Sequence, residues 1–372
     1  MTSTPDSAWL RIIRGDARRP SERLAGAGLW ALSIGYGVAL HLHLAGYHLG
    51  IARRSVLPVT VVSVGNLTVG GTGKTTASLA IARWLLSQGK RVALLSRGYR
   101  GRGERQAAVV SGGSGPLLDV EAAGDEAYLA AQKLPDLRVL AGKDRRVTGK
   151  LAVEQLGVDA IVLDDGFQYQ RLQRDLDIVL VDALAPFGYD FLVPRGLLRE
   201  PPEHIARADA VWLTHSDLVK EEELGRIRAR VTSFAPKARI WETIHAPVRL
   251  RRLDGKEEVE PDALRGRPVC ALSSLGNPRS FEQTLARLGA ELVTAVRFPD
   301  HHRYRGEELY QVAQGQAAEA EWIVTTEKDA VRMPTQELGK PIWILEVELA
   351  GCTESTGLAE EMRCLLRAKN KI

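Results

Sequence analysis

A glycine-rich segment in the first quarter of the chain combines the residue types that hold the phosphates of a nucleotide. It follows an apolar run typical of a buried strand and reads Thr68, Val69, Gly70, Gly71, Thr72, Gly73, Lys74, Thr75. Glycines let backbone N–H groups close around phosphate oxygens, and the helix that follows adds the positive end of its dipole. In this pattern Lys74 reaches the β and γ oxygens and Thr75 can bind magnesium. Since the usual motif begins with glycine, Thr68 indicates a different turn into the loop.

Two adjacent carboxylates, Asp164 and Asp165, follow another apolar run, Ala160–Leu163. P-loop enzymes hold Mg²⁺ or its water shell with a carboxylate at the carboxyl end of such a strand. Because neighbouring side chains of an extended chain point to opposite sides, we expect one carboxylate to serve the metal and the other a neighbouring group. A simple turn at the strand end is the alternative.

Phosphoryl transfer to an alcohol also needs a group that accepts the hydroxyl proton, and carboxylates and histidines are the candidates. Asp125 stands at the start of a predicted helix, where capping of the helix is an alternative role. His301 and His302 follow Asp300 in a polar loop after a predicted strand. A carboxylate hydrogen-bonded to an imidazole fixes its tautomer and raises its basicity, so this loop suits a base or an acceptor-binding group. A surface loop with incidental histidines is the alternative.

Two further polar stretches carry cationic side chains. Lys328 follows the predicted strand Trp322–Thr325, and Arg195 and Arg199 lie in a loop further upstream. Residues after a parallel strand usually face a ligand crevice, so Lys328 could bind phosphate, or it pairs with Asp329. The two arginines would suit an anionic acceptor, or they lie in a solvated loop.

The elements that must position these residues alternate along the chain after residue 55. The predicted strands of a first set are Val59–Val64, Arg91–Ser96, Ala160–Leu163, Ile178–Val181 and Ala210–Thr214, and a helix at Glu221–Val231 ends this set. The strands of a second set are predicted near Val269–Leu272, Leu292–Arg297, Trp322–Thr325 and Ile342–Val347, with helices near Arg279–Leu288 and Gly306–Ala320. Apolar runs alternating with helical patterns predict an α/β fold, with a P-loop NTPase-type parallel sheet flanked by helices.

The two sets are separated by a period-two pattern between Ile240 and Val259, which predicts a β-ribbon linker. We therefore divide the chain into an N-terminal segment at 1–54, a P-loop domain at 55–239, the ribbon linker at 240–259 and a second, smaller α/β domain at 260–372.

The N-terminal segment has the composition of a membrane-contacting element. From Leu24 to Ala52 it has no Asp, Glu, Lys or Arg, while arginines are frequent just before this stretch and Arg53 and Arg54 close it. A spanning helix needs about 20 apolar residues, so length permits one. The many glycines and histidines, and an arginine-rich tail that a span would place outside, favour a helix lying in the membrane interface. A helix buried on the sheet and a true span are the alternatives.

Composition excludes several other classes. A hydrophobic content of 45% with 26% charged residues is that of a globular protein, and a formal net charge of +4 without a dense basic run does not indicate a nucleic-acid partner. The three cysteines, Cys270, Cys352 and Cys364, are too few and too scattered for a disulfide framework or a zinc site. A reducing compartment is expected.

Taken together, the motifs resemble those of the tetraacyldisaccharide 4′-kinase family of lipid A biosynthesis. The segments that carry the resemblance are Val64–Thr75, Ser96–Tyr99, Gly124–Glu126, Asp164–Gln168, Leu198–Pro201, Phe298–His302 and Thr325–Asp329.

The resemblance implies transfer of the γ-phosphate of ATP to the 4′-hydroxyl of tetraacyldisaccharide 1-phosphate, the lipid A disaccharide precursor, to form lipid IVA. ATP and Mg²⁺ are the implied cofactors. The implied roles are Asp125 as base together with His301, Lys74 and Thr75 on phosphate and magnesium, and Asp164, Asp165 and Glu200 at or near the metal. The implied location is the cytosolic face of the bacterial inner membrane, peripheral or monotopic, and we expect a monomer without a nucleic-acid partner.

Two other classes of P-loop protein fit part of the pattern. A membrane-associated switch or partitioning ATPase needs no acceptor base and usually has a lysine where this chain has Val69. A kinase of a soluble small molecule would not need the apolar stretch Leu24–Ala52.

Overall fold

The computed structural model describes residues 8–16, 19–99, 101–105, 107–335, 339–352 and 357–369. Residues 1–7 and 17–18 of the predicted N-terminal segment, and residues 370–372 of the predicted second domain, lie outside the described residues.

The described part of the chain forms helices and strands in alternation. The α-helices are α1 (Ala8–Arg14), α2 (Pro20–His48), α3 (Lys74–Ser87), α4 (Val120–Ala123), α5 (Asp125–Lys133), α6 (Arg145–Glu154), α7 (Glu221–Phe234), α8 (Pro278–Arg287), α9 (Gly306–Gln314), α10 (Glu327–Ala330) and α11 (Leu358–Ala368). The strands are β1 (Thr60–Asn66), β2 (Val92–Ser96), β3 (Ala108–Gly112), β4 (Arg138–Ala141), β5 (Ala160–Asp164), β6 (Leu176–Asp182), β7 (Ala210–Thr214), β8 (Arg239–Arg252), β9 (Glu258–Val259), β10 (Pro268–Ser273), β11 (Glu291–Arg297), β12 (Trp322–Thr326) and β13 (Ile342–Gly351).

All of these strands belong to one mixed, mostly parallel sheet. Its order is β11-β10-β12-β13-β8-β7-β6-β1-β5-β2-β4-β3, with β9 paired to β8. The central strands β5, β6 and β7 are buried along their whole length, as expected where helices cover both faces of a parallel sheet. The predicted α/β fold with a parallel sheet flanked by helices is confirmed.

Strand β8 joins the two predicted sets of strands. Its first residues, Arg239–Glu242, pair in parallel with β7, and its later residues, Thr243–Arg252, pair antiparallel with β13. Pro247 stands where the register with β13 shifts, which is a position that tolerates a residue without an N–H donor. The predicted ribbon region is therefore one long strand within a continuous sheet, with a short hairpin to β9. The division into domains at 240 and 260 remains a prediction.

Helix α2 is long, apolar and mostly exposed. By length and composition it could cross a membrane. Its buried stripe includes Ser33 and Leu44, and Gly37 packs so tightly that an added Cβ would lie 3.1 Å from Leu192. Large apolar side chains cover the rest of its surface: Leu24, Trp30, Leu32, Ile34, Val38 and Leu42. The alternative of a helix buried on the sheet is therefore wrong.

Candidate active site

A cavity of about 990 Å³ opens at the carboxyl ends of the strands and is lined by both halves of the sheet. One side comes from the glycine-rich loop, the start of α3 and the ends of β2 and β5. The other side comes from the loops after β10, β11 and β12 and from β13, with α5 between the two sides. Carboxyl ends of parallel strands are where open α/β sheets bind ligands, so the topology itself places a site here.

The glycine-rich loop is fixed from several directions. Asn66 Nδ2 donates to Thr72 Oγ1 at 2.9 Å, and Thr214 Oγ1 donates to the Thr72 carbonyl at 3.2 Å. At its start, Thr68 forms a β-bridge with Leu198, so a residue with a Cβ suits the position where the usual motif has glycine. The different turn predicted from Thr68 is thus a strand-like pairing with the 197–198 segment.

Gly73 illustrates why the end of the loop needs glycine. Its φ is +84°, and a Cβ built on it would lie 2.5 Å from His245 Nε2. His245 Nδ1 lies 2.8 Å from His215 Nε2, and His215 Nδ1 lies 2.9 Å from Asp182 Oδ1. Because a carboxylate accepts, this order makes each Nδ1 a donor and leaves His245 Nε2 as an acceptor against the loop.

The imidazole of His245 is held in its neutral form. Burial, together with the neighbouring His215, lowers the pKa of His245 to about 3. His215 directly follows β7 and His245 lies in β8, and our sequence reasoning missed their contact. The only available signal was a histidine directly after the predicted strand Ala210–Thr214.

Lys74 lies among charged side chains of both signs. Its Nζ is 3.8 Å from Asp165 Oδ1, and Arg199 Nη1 donates to both oxygens of the same carboxylate at 2.9 Å. Burial lowers the pKa of Lys74, and the charge of Asp165 opposes that shift. Burial would raise the pKa of Asp165, but the cations Lys74 and Arg199 outweigh it and lower the pKa. Two cations around one carboxylate leave positive charge available for an anionic ligand.

Asp164 points to the other side and meets hydroxyl groups. Thr75 Oγ1 lies 3.4 Å from its Oδ2, and Ser78 Oγ lies 3.1 Å from its Oδ1. Burial and the neighbouring carboxylates Glu126 and Asp165 raise the pKa of Asp164 to about 6, because together they outweigh the opposing charge of Lys74. Hydroxyl and carboxylate oxygens are the ligands that Mg²⁺ prefers, so this pair fits the metal.

Protein groups alone do not complete a metal site there. In the ranges that the structure describes, no group of three or more His, Cys, Asp or Glu side chains could hold a metal ion. Mg²⁺ is commonly bound through one or two protein ligands together with substrate phosphates and water, and Thr75 with Asp164 matches that arrangement.

Glu200, the remaining predicted metal ligand, lies apart from the cavity lining and is engaged elsewhere. Its Oε2 is 2.7 Å from His204 Nδ1 and 2.8 Å from Arg207 Nη2, and the side chain is only 1% exposed. Burial would raise its pKa, but these two partners outweigh burial and lower it. Asp165 is likewise engaged, by Arg199. The assignment of Asp165 and Glu200 to a metal remains a prediction.

The predicted proton acceptors lie together although 176 positions separate them in sequence. His301 Nδ1 lies 2.8 Å from Asp125 Oδ2, at the N-terminus of α5. His301 lines the cavity and Asp125 lies behind it, 12% exposed. His302 points elsewhere: its Nε2 meets Glu308 at 3.1 Å, and its ring stacks on Phe298. The geometry therefore singles out His301 of the two histidines.

Helix α5 is bound to the second half of the sheet by ion pairs. Lys328 Nζ lies 3.0 Å from Glu126, and Lys133 Nζ lies 2.6 Å from Glu327. Lys328 therefore pairs with Glu126 rather than with Asp329, and it lines the cavity, so its binding of phosphate remains a prediction. These contacts fix Asp125, at the start of the same helix, relative to the loop that carries His301.

Three residues of the site adopt the left-handed backbone conformation that residues with a Cβ seldom adopt. These are Asp165, His215 and His301, with φ of 55°, 55° and 61°. Such conformations cost free energy and persist where surrounding contacts hold them, often at functional sites. At His301 this conformation accompanies the 2.8 Å contact of Nδ1 with Asp125, while Nε2 lies 4.0 Å from Asp300 of the same loop.

The apolar helix α2 contacts the backbone of a residue that lines the cavity. Tyr36 Oη donates to the Arg199 carbonyl at 2.8 Å, and Arg199 binds Asp165. Arg195 instead donates to the Ile13 carbonyl of α1 and lies over the ring of Phe191. Of the two arginines in this loop, Arg199 therefore lines the cavity and Arg195 fixes the N-terminal helices.

Known proteins resemble this chain over most of its length. The sequence profile of the family described as LpxK, tetraacyldisaccharide-1-P 4′-kinase, matches residues 25–366. A tetraacyldisaccharide 4′-kinase of Anaeromyxobacter dehalogenans is 48% identical over 331 residues, which cover 88% of this chain and 85% of that protein. One from Syntrophus aciditrophicus is 41% identical over 332 residues, covering 86% of this chain and 88% of that protein.

A solved structure gives the same result for the fold. The crystal structure of LpxK from Aquifex aeolicus in complex with ATP superimposes with a TM-score of 0.72 at 32% identity, covering 93% of this chain and 99% of that one. The resemblance inferred from the motifs is confirmed: the chain belongs to the tetraacyldisaccharide-1-P 4′-kinase family.

Proposed function

We propose that this protein transfers the γ-phosphoryl group of ATP to the 4′-hydroxyl of tetraacyldisaccharide 1-phosphate, with Asp125 and His301 acting together on the acceptor hydroxyl. The kinase activity itself follows from membership of the family. The observation that carries the residue roles is the Asp125–His301 pair, which presents an imidazole to the cavity that the glycine-rich loop also lines. A nucleotide-driven switch would not need such a pair.

The direction of the hydrogen bond defines what the pair can do. An ionised Asp125 accepts from Nδ1 of His301, so the second ring nitrogen, Nε2, carries the lone pair. His301 can then take the proton of the acceptor hydroxyl as its oxygen attacks the γ-phosphorus, while Asp125 stabilises the charge that forms on the ring. On the other side, Lys74 and the backbone of residues 70–73 hold the β- and γ-phosphates in line with that oxygen.

Magnesium is part of the proposal. When bound, Mg²⁺ neutralises negative charge on the β and γ oxygens. Thr75 and Asp164 would hold it, because their oxygens lie together at the start of α3. Replacing Asp164 by Asn should raise the Mg²⁺ concentration needed for half-maximal rate, and an unchanged requirement would contradict the assignment.

We also propose that α2 binds the cytosolic surface of the inner membrane without crossing it. Its exposed apolar side chains provide the contact. Its middle is packed on the folded protein, since Gly37 lies against Leu192 and Tyr36 binds the Arg199 carbonyl. A helix whose centre is attached in this way lies along the bilayer surface, where an acceptor with acyl chains is found.

A monomer is sufficient for this function. The glycine-rich loop and His301 come from one chain, so no second copy is needed to complete the cavity. Light scattering of the purified protein in detergent should give the mass of one chain in the active fraction. Activity confined to a larger species would contradict this.

The decisive experiment follows label from γ-labelled ATP and Mg²⁺ into purified tetraacyldisaccharide 1-phosphate, comparing the native protein with Asp125→Ala. We expect labelled lipid with the native protein and a large loss with the variant. ATP hydrolysis that is equal with and without lipid, with no labelled lipid, would instead support the switch ATPase.

A further inference from the structure

Arg332, just after α10, is buried deeply for a charged residue. Its side chain is 2% exposed. Nη2 donates to Asp329 Oδ1 at 2.7 Å, and Nε lies 3.2 Å from the carbonyl of Lys328. A buried cation is costly unless carboxylates compensate its charge, so the placement of its partners is informative.

Asp329, the first partner, is a fully buried anchor. Its carboxylate also accepts from the hydroxyls of Ser274 at 2.6 Å, Thr326 at 2.7 Å and Tyr304 at 3.1 Å. Ser274 and Tyr304 belong to the loops after β10 and β11, and Thr326 ends β12; all three regions contribute to the cavity. Asp329 therefore fixes the guanidinium of Arg332 relative to the loop that carries His301.

The second carboxylate near Arg332 is that of Asp125, at the start of α5. Its Nε is 3.6 Å from Asp125 Oδ2, the same oxygen that accepts from His301 Nδ1. Nη1 is buried and has no hydrogen-bond partner among the described residues. Asp329 thus binds Nη2 of the guanidinium, and Nε is the atom that lies near Asp125.

We propose that Arg332 is a positioning residue for phosphoryl transfer, holding the carboxylate of Asp125 against His301 from the second half of the sheet. The inference rests on the proposed role of the Asp125–His301 pair. Arg332 touches no reacting atom, and it acts through Asp125. Its contribution is to keep that carboxylate ionised and oriented while His301 exchanges a proton.

The charges around Asp125 support this role. Burial alone would raise the pKa of Asp125. The hydrogen bond from His301 and the charge of Arg332 outweigh burial, so the pKa lies below its ordinary value. Lys328 also faces Asp125, but it is paired with Glu126. Arg332 is therefore the cation with the most direct effect.

The test compares Arg332→Gln and Arg332→Lys with the native protein by pH profiles of kcat/KM for the lipid acceptor. Removal of the positive charge of Arg332 favours the protonated form of Asp125, which can no longer hold His301 as an acceptor. The acidic limb should therefore move to higher pH by about one unit in Arg332→Gln, with kcat lowered about tenfold or more. Arg332→Lys keeps the positive charge but loses the planar guanidinium group. The acidic limb of its pH profile should therefore move less than in Arg332→Gln, while kcat still falls. KM for ATP should stay within about twofold in both.

Arg174→Gln is the matched control. Arg174 and Asp177 form another buried pair three residues apart, with side chains 6% and 12% exposed, outside the cavity lining. This variant should lose thermal stability without moving the acidic limb. A folded Arg332→Gln protein with an unmoved limb would overturn the inference. If Arg332→Gln does not fold, Arg332→Lys decides: native kcat in that variant would overturn it.

Asp125→Asn separates this inference from the proposed function. If Asp125→Asn keeps native activity, the proposed pair is wrong and Arg332 has no pair to position. If Asp125→Asn is inactive but both Arg332 variants behave as the native protein, only the role of Arg332 is wrong.

Discussion

The two sides of the cavity are built in different ways. On one side, the predicted phosphate-binding residues Thr68–Thr75 are consecutive and lie between strand β1 and helix α3. On the other side, the proposed proton-accepting pair joins Asp125 of α5 to His301 of a loop 176 residues later, with Arg332 and Asp329 next to it. Chemistry that needs backbone N–H groups can be encoded in one loop, whereas a tuned side-chain pair needs several elements to converge.

The largest effect should come from the local side. Lys74→Ala removes the charge that contacts the β and γ oxygens, so kcat for transfer to the lipid should fall by about a thousandfold or more. Radiolabel transfer under saturating ATP measures the change. Lys150→Ala serves as the control, because Lys150 lies exposed on α6 and pairs with Glu154 on the same helix. Near-native turnover of Lys74→Ala would mean that this loop is not the catalytic one.

The side of the cavity that carries Asp125 and His301 should show a smaller effect, which distinguishes His301 from His302. His301→Ala removes the ring that lines the cavity, so kcat should fall by about a hundredfold to ten-thousandfold, the usual contribution of a general base. His302→Ala is the matched neighbour: its ring binds Glu308 and stacks on Phe298, so it should change kcat much less.

The pair of variants is measured at saturating ATP and lipid, with thermal melting to detect local unfolding. A greater loss in His302→Ala than in His301→Ala would reverse the assignment made from the 2.8 Å contact with Asp125. Equal losses would mean that the loop acts as a structural unit and that neither ring has a special role.

The difference between consecutive residues and residues that converge from distant elements also explains what could be predicted from sequence. The glycine-rich loop was predictable because its residues, its strand and its helix follow one another, and the central strands were predictable because they are long apolar runs. Strands β3 and β4 were missed: β3 has five residues and is the edge strand, and β4 has four residues between β2 and β3. A short edge strand has too few residues for a clear period-two pattern.

Contacts between elements that are distant in sequence could not be predicted from local sequence patterns. The sequence offered both Asp125 and His301 as candidates, but nothing local distinguished a helix cap from half of a pair. Likewise, alternation around Pro247 predicted β-structure, but it could not show that β8 pairs with β7 at one end and β13 at the other. The contact between His245 and Gly73 depends on that double pairing, and so it was missed.

The smallest effect on chemistry should come from the apolar surface of α2, which lies outside both sides of the cavity. Leu24, Leu32 and Leu42 are 77%, 63% and 71% exposed, so replacing all three with Gln should leave the fold intact. Each leucine removed from a membrane contact loses about 1.5 kcal/mol or more, so the three together should weaken binding to phospholipid vesicles by about a thousandfold or more. Transfer to a detergent-dispersed acceptor should keep its native kcat.

Val147→Gln is the control, because Val147 is an exposed apolar residue on α6, and this variant should bind vesicles as the native protein does. Unchanged vesicle binding by the triple variant would show that α2 is not the membrane contact, and a fall in kcat with dispersed acceptor would show that the helix acts on the site through Tyr36 and Arg199.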